Sequence, residues 1–215
     1  MALSTGWWCA VLALSIAAAA TSQQSAPPVV VPVEREPQHR PVFSNAVLAV
    51  LDVRFPPGYV SLFHTHTNDN VSVRLETGPT RIDTLEARGV EQTALVGRVV
   101  FNSASPPYTH RVANVGTTPI RILDIEIHAR AGTPRASVPD DLAGHEVVVE
   151  NDRVRICRVT LADGQRQAAH THPRGVLEVV VRGPGAGTFA WREPGSTAPL
   201  RIAAGVVEIV EIEVK

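Results

Sequence analysis

The chain has 215 residues, 44% of them hydrophobic, enough for a packed core in one large domain or two small ones. Its formal net charge is −1, with both signs mixed along the sequence, which gives no basis for electrostatic attraction to nucleic acid or to an anionic membrane surface. Only two cysteines are present, Cys9 and Cys157, too few for a disulfide framework.

At the N-terminus MALSTG leads into the apolar run WWCAVLALSIAAAA and then into polar TSQQS, with Ala18 and Ala20 in a small-x-small arrangement. Residues 1–20 are expected to be a secretory signal peptide cleaved between Ala20 and Thr21, and the mature protein to be secreted or periplasmic. The leader lacks Lys and Arg before its apolar run, so an uncleaved anchor stays open, although the run is short for a membrane span. Cleavage removes Cys9 and leaves Cys157 alone, on the apolar side of the run VRICRVTL, where it reads as an inert core thiol. Residues 21–43, rich in Pro, Gln and Ser, predict an extended tether in which His39 is solvated.

From residue 44 onward, short Val/Ile/Leu-rich runs alternate with Gly, Pro, Asn and Asp turns: VLAVLDVRF, VSVRLE, ALVGRVVF, IRILDIEI, then HEVVVE, VRICRVTL, VLEVVV and VVEIVEIEV. None carries a long helical period. In IRILDIEI, Ile120, Ile122, Asp124 and Glu126 share one face, and Arg121, Leu123, Ile125 and Ile127 the other. This density of strands predicts an all-β sandwich or closed barrel.

The pattern also repeats. Laying VLAVLDVRFPPG over RVRICRVTLADG brings Gly58 onto Gly164, Leu51 onto Cys157, Val53 onto Val159 and Phe55 onto Leu161. Continuing without a gap brings His64 onto His170 and His66 onto His172. The ends ILDIEI and IVEIEV match as well. The expected organisation is therefore a first unit over 44–130, a linker over 131–144 ending in a helical turn, and a second unit over 145–215.

His64 and His66, two apart on one strand, project to the same side of the sheet. A third imidazole from a neighbouring strand, His110, would close a facial site for Fe, Mn, Ni, Cu or Zn with positions left open. In this arrangement, Gly58-x5-His64-x-His66 with Gly78, followed by Gly97, Pro106, Pro107, His110 and Asn114, the chain resembles the cupin superfamily. The resemblance runs over nearly all of the chain beyond the tether. It implies two tandem jelly-roll β-barrels, with a divalent transition metal, iron first among the options, held inside the mouth of the first by His64, His66 and His110. The usual ligand glutamate is missing, and Asn70 or Val71 stands in its place, so the resemblance implies a neutral three-histidine site of the kind found in some cupin dioxygenases. Arg74 shares the strand parity of Asn70 and is a candidate anchor for a substrate carboxylate. Tyr108, beside the His110 strand, is a second candidate contact.

The second unit keeps His170 and His172, but counting back from its C-terminal strand puts Thr197 at the position of His110 and Arg201 at that of Asn114. Glu178, which shares strand parity with His172, is the candidate carboxylate for a weak second site. His128 and His145 read as surface or hydrogen-bonded structural groups. Three functional classes stay open: a metal-dependent enzyme of dioxygenase type, a non-catalytic binder of a small molecule or metal, and a structural or storage protein. The expected partner is a small molecule, with no nucleic acid and no membrane after cleavage, and homo-oligomerisation is left open.

Overall fold

The apolar runs fold as strands, except ALVGRVVF, which is broken by a turn at Gly97. A computed structural model describes residues 27–128 and 144–215. The expected leader with Cys9, the first residues of the tether (21–26) and nearly all of the expected linker (131–143) lie outside the described residues.

The first unit contains ten strands: β1 (Val30–Pro32), β2 (His39–Ser44), β3 (Leu48–Phe55), β4 (Phe63–His66), β5 (Asp69–Arg74), β6 (Gly78–Asp83), β7 (Glu91–Ala94), β8 (Val99–Asn102), β9 (Tyr108–Asn114) and β10 (Ile120–Ile127). They form two five-stranded sheets, in the orders β1-β4-β9-β6-β7 and β2-β3-β10-β5-β8. The second unit adds β11 (His145–Glu150), β12 (Val154–Leu161), β13 (Arg166–Gln167), β14 (His170–Thr171), β15 (Val176–Arg182), β16 (Phe189–Arg192), β17 (Thr197–Ala198), β18 (Arg201–Ile202) and β19 (Val207–Val214). Its main sheet, β11-β12-β19-β15-β16, has the connectivity of β2-β3-β10-β5-β8, while its opposite side is reduced to the pairs β13-β18 and β14-β17. The described residues contain one 3₁₀ turn, Val33–Arg35, and no α-helix.

The sequence repeat is thus a repeat of topology. Gly58 and Gly164 hold the same left-handed backbone, φ +73° in each, at the turn after the long strands β3 and β12. Only glycine takes that conformation without strain. In the first unit the turn is tied to β9, because Gly58 N–H donates to the Asn114 carbonyl. The Asn114 side-chain amide in turn donates to the carbonyls of Phe55, Pro56 and Thr118. These two motif residues act as a structural clasp.

β10 is buried on both faces. Leu123, Ile125 and Ile127 join Leu48, Val50, Val71 and Val73 in a core shared with Ile156, Leu177, Val179, Val210 and Ile212 of the second unit, so the two main sheets pack face to face. Around its rim Arg153 Nε pairs with Asp69 Oδ2 at 2.7 Å and Phe43 meets Phe189 edge-on at 6.2 Å. On its other face β10 looks into the first unit, where Leu51, Val53, Phe55, Val112 and Ile120 form a smaller core beneath the site.

The tether expectation is corrected. Residues 30–44 are not an extended arm: β1 pairs in parallel with the histidine strand β4, with Val31 opposite His64, and β2 pairs with β3. Proline and glutamine lower strand propensity, but an edge strand tolerates both when its partner is preformed. Cys157 is buried and unpaired, as expected.

Candidate metal centre

The adjacent antiparallel strands β4 and β9 bring His64 directly opposite His110 and His66 opposite Tyr108. The three imidazoles converge, with ring centroids 4.6 Å (His64–His110), 5.0 Å (His66–His110) and 5.3 Å (His64–His66) apart. One ring nitrogen of each lies within 4.8 Å of the others.

Their outer nitrogens are fixed. His64 Nδ1–H donates to the Leu62 carbonyl at 3.0 Å, which leaves Nε2 with its lone pair directed inward. His66 Nδ1 lies 2.7 Å from Glu126 Oε1 and 2.9 Å from Asn70 Nδ2. An imidazole that gives one N–H to a carbonyl or carboxylate presents the other nitrogen as a ligand. His64 Nε2 and His66 Nε2 are both buried and have no hydrogen-bond partner. An unpaired buried polar atom is costly, and two converging on a third imidazole fit a metal ion. Burial and neighbouring imidazoles hold His64 at about 3, and the same causes hold His110 well below the ordinary histidine range, so both are neutral, as ligands must be.

Asn70, from β5, faces the site, whereas Val71 points into the shared core. Asn70 Nδ2 donates to Tyr108 Oη at 2.5 Å, and Asn102 Nδ2 donates to Asn70 Oδ1. Tyr108 stacks on His66 at 4.8 Å. Arg74 is buried, gives Nη2–H to the Gly78 carbonyl, and leaves Nε unpaired. These residues line a cavity of about 350 Å³ with His66 and His110 at its wall, the guanidinium groups of Arg74 and Arg98 also on its lining, and Val53, Phe55, Val100 and Ile122 between. Burial and the like charge of Arg98 pull Arg74 down to about 10.

Several groups here are unanticipated. His39, expected to be solvated, is buried: its Nδ1 lies 2.7 Å from Glu36 Oε2, and its ring sits 4.5 Å from that of His64. Asp124 and Glu126 flank His66 from β10. Burial raises Asp124 to about 6 and Glu126 to about 7. Two carboxylates at alternate positions that share a face of β10 with Ile120 and Ile122 were the available signal for this pair.

The architecture has counterparts among solved structures. The nickel(II) complex of the pirin YhhW from Escherichia coli superposes with a TM-score of 0.56 at 18% identity, over 81% of this chain and 89% of that one. The salicylate 1,2-dioxygenase of Pseudaminobacter salicylatoxidans does so at 0.51 and 11% identity, over 78% and 71%. A cupin domain from Bordetella pertussis Tohama I is 31% identical over 40% of this chain and 88% of its own, with a TM-score of 0.37. The chain has the cupin fold. No family model and no curated protein matches it.

The second unit differs from the expectation at two places, the position of Thr197 and the role of Arg201. His170 pairs with Ala198, and Thr171 with Thr197, so Ala198 rather than Thr197 occupies the place of His110. The hydroxyl pair Thr171–Thr197 reproduces Thr65–Thr109 and fixes that register. Arg201 does not take the role of Asn114. Gly164 N–H donates to the Ala203 carbonyl, and Arg201 instead pairs with Glu178. Glu178 also receives Arg192 at 2.7 Å, and it offers a ligand atom within 4.8 Å of His172 and Glu211. His145, expected at the surface or in a structural hydrogen bond, does make such a bond, to Glu211 Oε2 at 3.0 Å, but its side chain is buried.

Proposed function

We propose that this chain is an exported two-barrel cupin whose first barrel holds a divalent transition metal on His64, His66 and His110 and acts there on a small molecule, most naturally as a dioxygenase with iron. The observation that carries this reading is the pair of buried, unpartnered Nε2 atoms of His64 and His66, directed with His110 toward one point at a cavity wall. When bound, the metal would supply Lewis-acid or redox chemistry at positions the three imidazoles leave open.

The protein's own groups divide the remaining work. Glu126 and the Leu62 carbonyl orient the rings of His66 and His64. Arg74 and Arg98 favour a ligand bearing an anionic group, for which the arginine fork is suited, and the apolar wall between them and the histidines accepts a hydrocarbon body. Asp124 Oδ1 is buried without a hydrogen-bond partner on the cavity lining, and its raised pKa lets it take or return a proton near neutrality. This carboxylate comes from β10 and supplies what the missing glutamate of β5 does not.

The nickel complex of the pirin and the dioxygenase among the neighbours support metal-dependent chemistry on this fold, while a fold alone does not fix an activity. The test is metal analysis of purified protein and of His110→Ala, followed by oxygen uptake with thiols, diketones and phenolic acids. Stoichiometric metal lost in the variant, together with oxygen uptake, is the expected result. Metal binding without turnover would leave a non-catalytic binder, and no metal in either protein would end the proposal.

A further inference from the structure

The second unit contains its own cluster of buried imidazoles and one carboxylate, and its composition answers the loss seen in the repeat. The register of β19 on β12 sets Glu211 opposite Cys157, as β10 on β3 sets Asp124 opposite Leu51, so Glu211 is the topological equivalent of Asp124. Where the first unit has His110 and a short aspartate, the second has Ala198 and a glutamate. The imidazole is lost, and the carboxylate is one methylene longer.

That carboxylate reaches the histidines. Glu211 Oε2 accepts from His145 Nε2 at 3.0 Å, while Glu211 Oε1 stands 3.8 Å from His170 Nε2. Neither Oε1 nor His170 Nε2 has a hydrogen-bond partner, although both are buried. His170 Nδ1–H donates to the Ala168 carbonyl at 3.1 Å, the same anchoring that His64 has on Leu62, so its inner nitrogen carries the lone pair. Beside them His172 is 1% exposed and both of its ring nitrogens lack partners. A donor pair 3.8 Å apart is too wide for a hydrogen bond but suits an ion about 2.1 Å from each.

We infer that the second barrel binds a second first-row divalent ion on His170 and Glu211, with His145 as the third group once its Nε2 proton is released to solvent on binding and His172 adjoining, through a rearranged ligand set in which the carboxylate of β19 replaces the imidazole missing from β17. His145, His170 and Glu211 each offer a ligand atom within 4.8 Å of the other two. Glu178 also offers a ligand atom within 4.8 Å of His172 and Glu211, but Arg192 and Arg201 already pair with it, so the proposed ion does not depend on it. The mixed nitrogen and oxygen donors suit zinc, cobalt, nickel or iron over calcium or magnesium.

The full chain, stripped of metal with a chelator, is titrated with Co(II), following its visible absorption and the metal retained per chain after gel filtration. Wild type is expected to hold two ions, and Glu211→Gln, isosteric and still able to accept from His145, one. His110→Ala is likewise expected to hold one, the double variant none, and Glu178→Gln two. The second equivalent should weaken at least 100-fold in Glu211→Gln. Circular dichroism checks that the variants are folded, and His170→Gln replaces any Glu211 variant that is not. A single ion in wild type that vanishes in His110→Ala overturns the inference and leaves the first site standing. Two ions retained in both Glu211→Gln and His170→Gln overturn it as well. One ion in wild type that survives His110→Ala and vanishes in Glu211→Gln supports this second site and counts against the first.

Discussion

Glu126 Oε1 lies 2.7 Å from His66 Nδ1, and both side chains are almost wholly buried. The carboxylate comes from β10 and the imidazole from β4, strands of opposite sheets, so the pair fixes the ring angle across the first unit. Loss of such a partner typically weakens metal binding by 10–100-fold, on the order of 1.4–2.7 kcal/mol. Glu126→Leu, which removes the acceptor at similar volume, should therefore bind metal within about that range below wild type in a competition titration against a chromophoric chelator. Unchanged affinity would show that Tyr108 stacking alone holds the ring.

Glu36 gives a pH signature. Burial pushes its carboxyl up, but hydrogen bonds from His39, Tyr59 and the Gln38 amide outweigh this and bring it from 4.5 down to about 2. Because the folded value is depressed, the stabilisation is complete above the unfolded value and disappears as pH falls from about 4.5 through 2. Its size is about 3 kcal/mol. Urea unfolding of Glu36→Gln should show a deficit of that order at pH 7 that shrinks toward pH 2.5. A deficit independent of pH would point to lost packing.

The shared core predicts coupled unfolding. Ile125 is fully buried between the two main sheets, and Ile125→Ala should cost about 2–5 kcal/mol. Both units contribute to that core, so thermal unfolding followed by circular dichroism should stay a single transition that shifts as a whole. Two separated transitions would mean that each sheet is stable without the other.

Arg74 tests the anionic end of the cavity. Arg74→Met keeps much of the aliphatic volume and removes the charge, so binding of benzoate, measured by calorimetry on metal-loaded protein, should fall about tenfold or more, while benzamide is little affected. Equal losses for both would assign Arg74 to packing.

The strand-dense pattern and the repeat made the all-β architecture legible, because period-two alternation and turn residues are local signals. His64, His66 and His110 came together as expected because two sit on one strand and the third stands four residues before Asn114, half of the clasp. His39 did not, since Pro- and Gln-rich composition argued for a tether. The interval separating it from His145 is the one separating His64 from His170 and His66 from His172, and that signal was present in the sequence. The place of Ala198 was misread by one residue because β17 and β18 are two-residue strands, too short for alternation to fix a register. Glu211 could not be paired with His145 or His170 without the topology, being contributed from the far end of the chain.

The packing of the two main sheets also limits how this protein can evolve. Among the described residues, the face of β10 that backs onto Asp124 and Glu126 is covered by the apolar side of the second unit's sheet, and removing that unit would expose Leu48, Val71, Val73, Leu123, Ile125 and Ile127. A chain cut after the first unit is expected to aggregate, which sedimentation of a fragment ending at residue 130 would check. The second unit thus serves as the floor of the first, whatever chemistry its own residues carry.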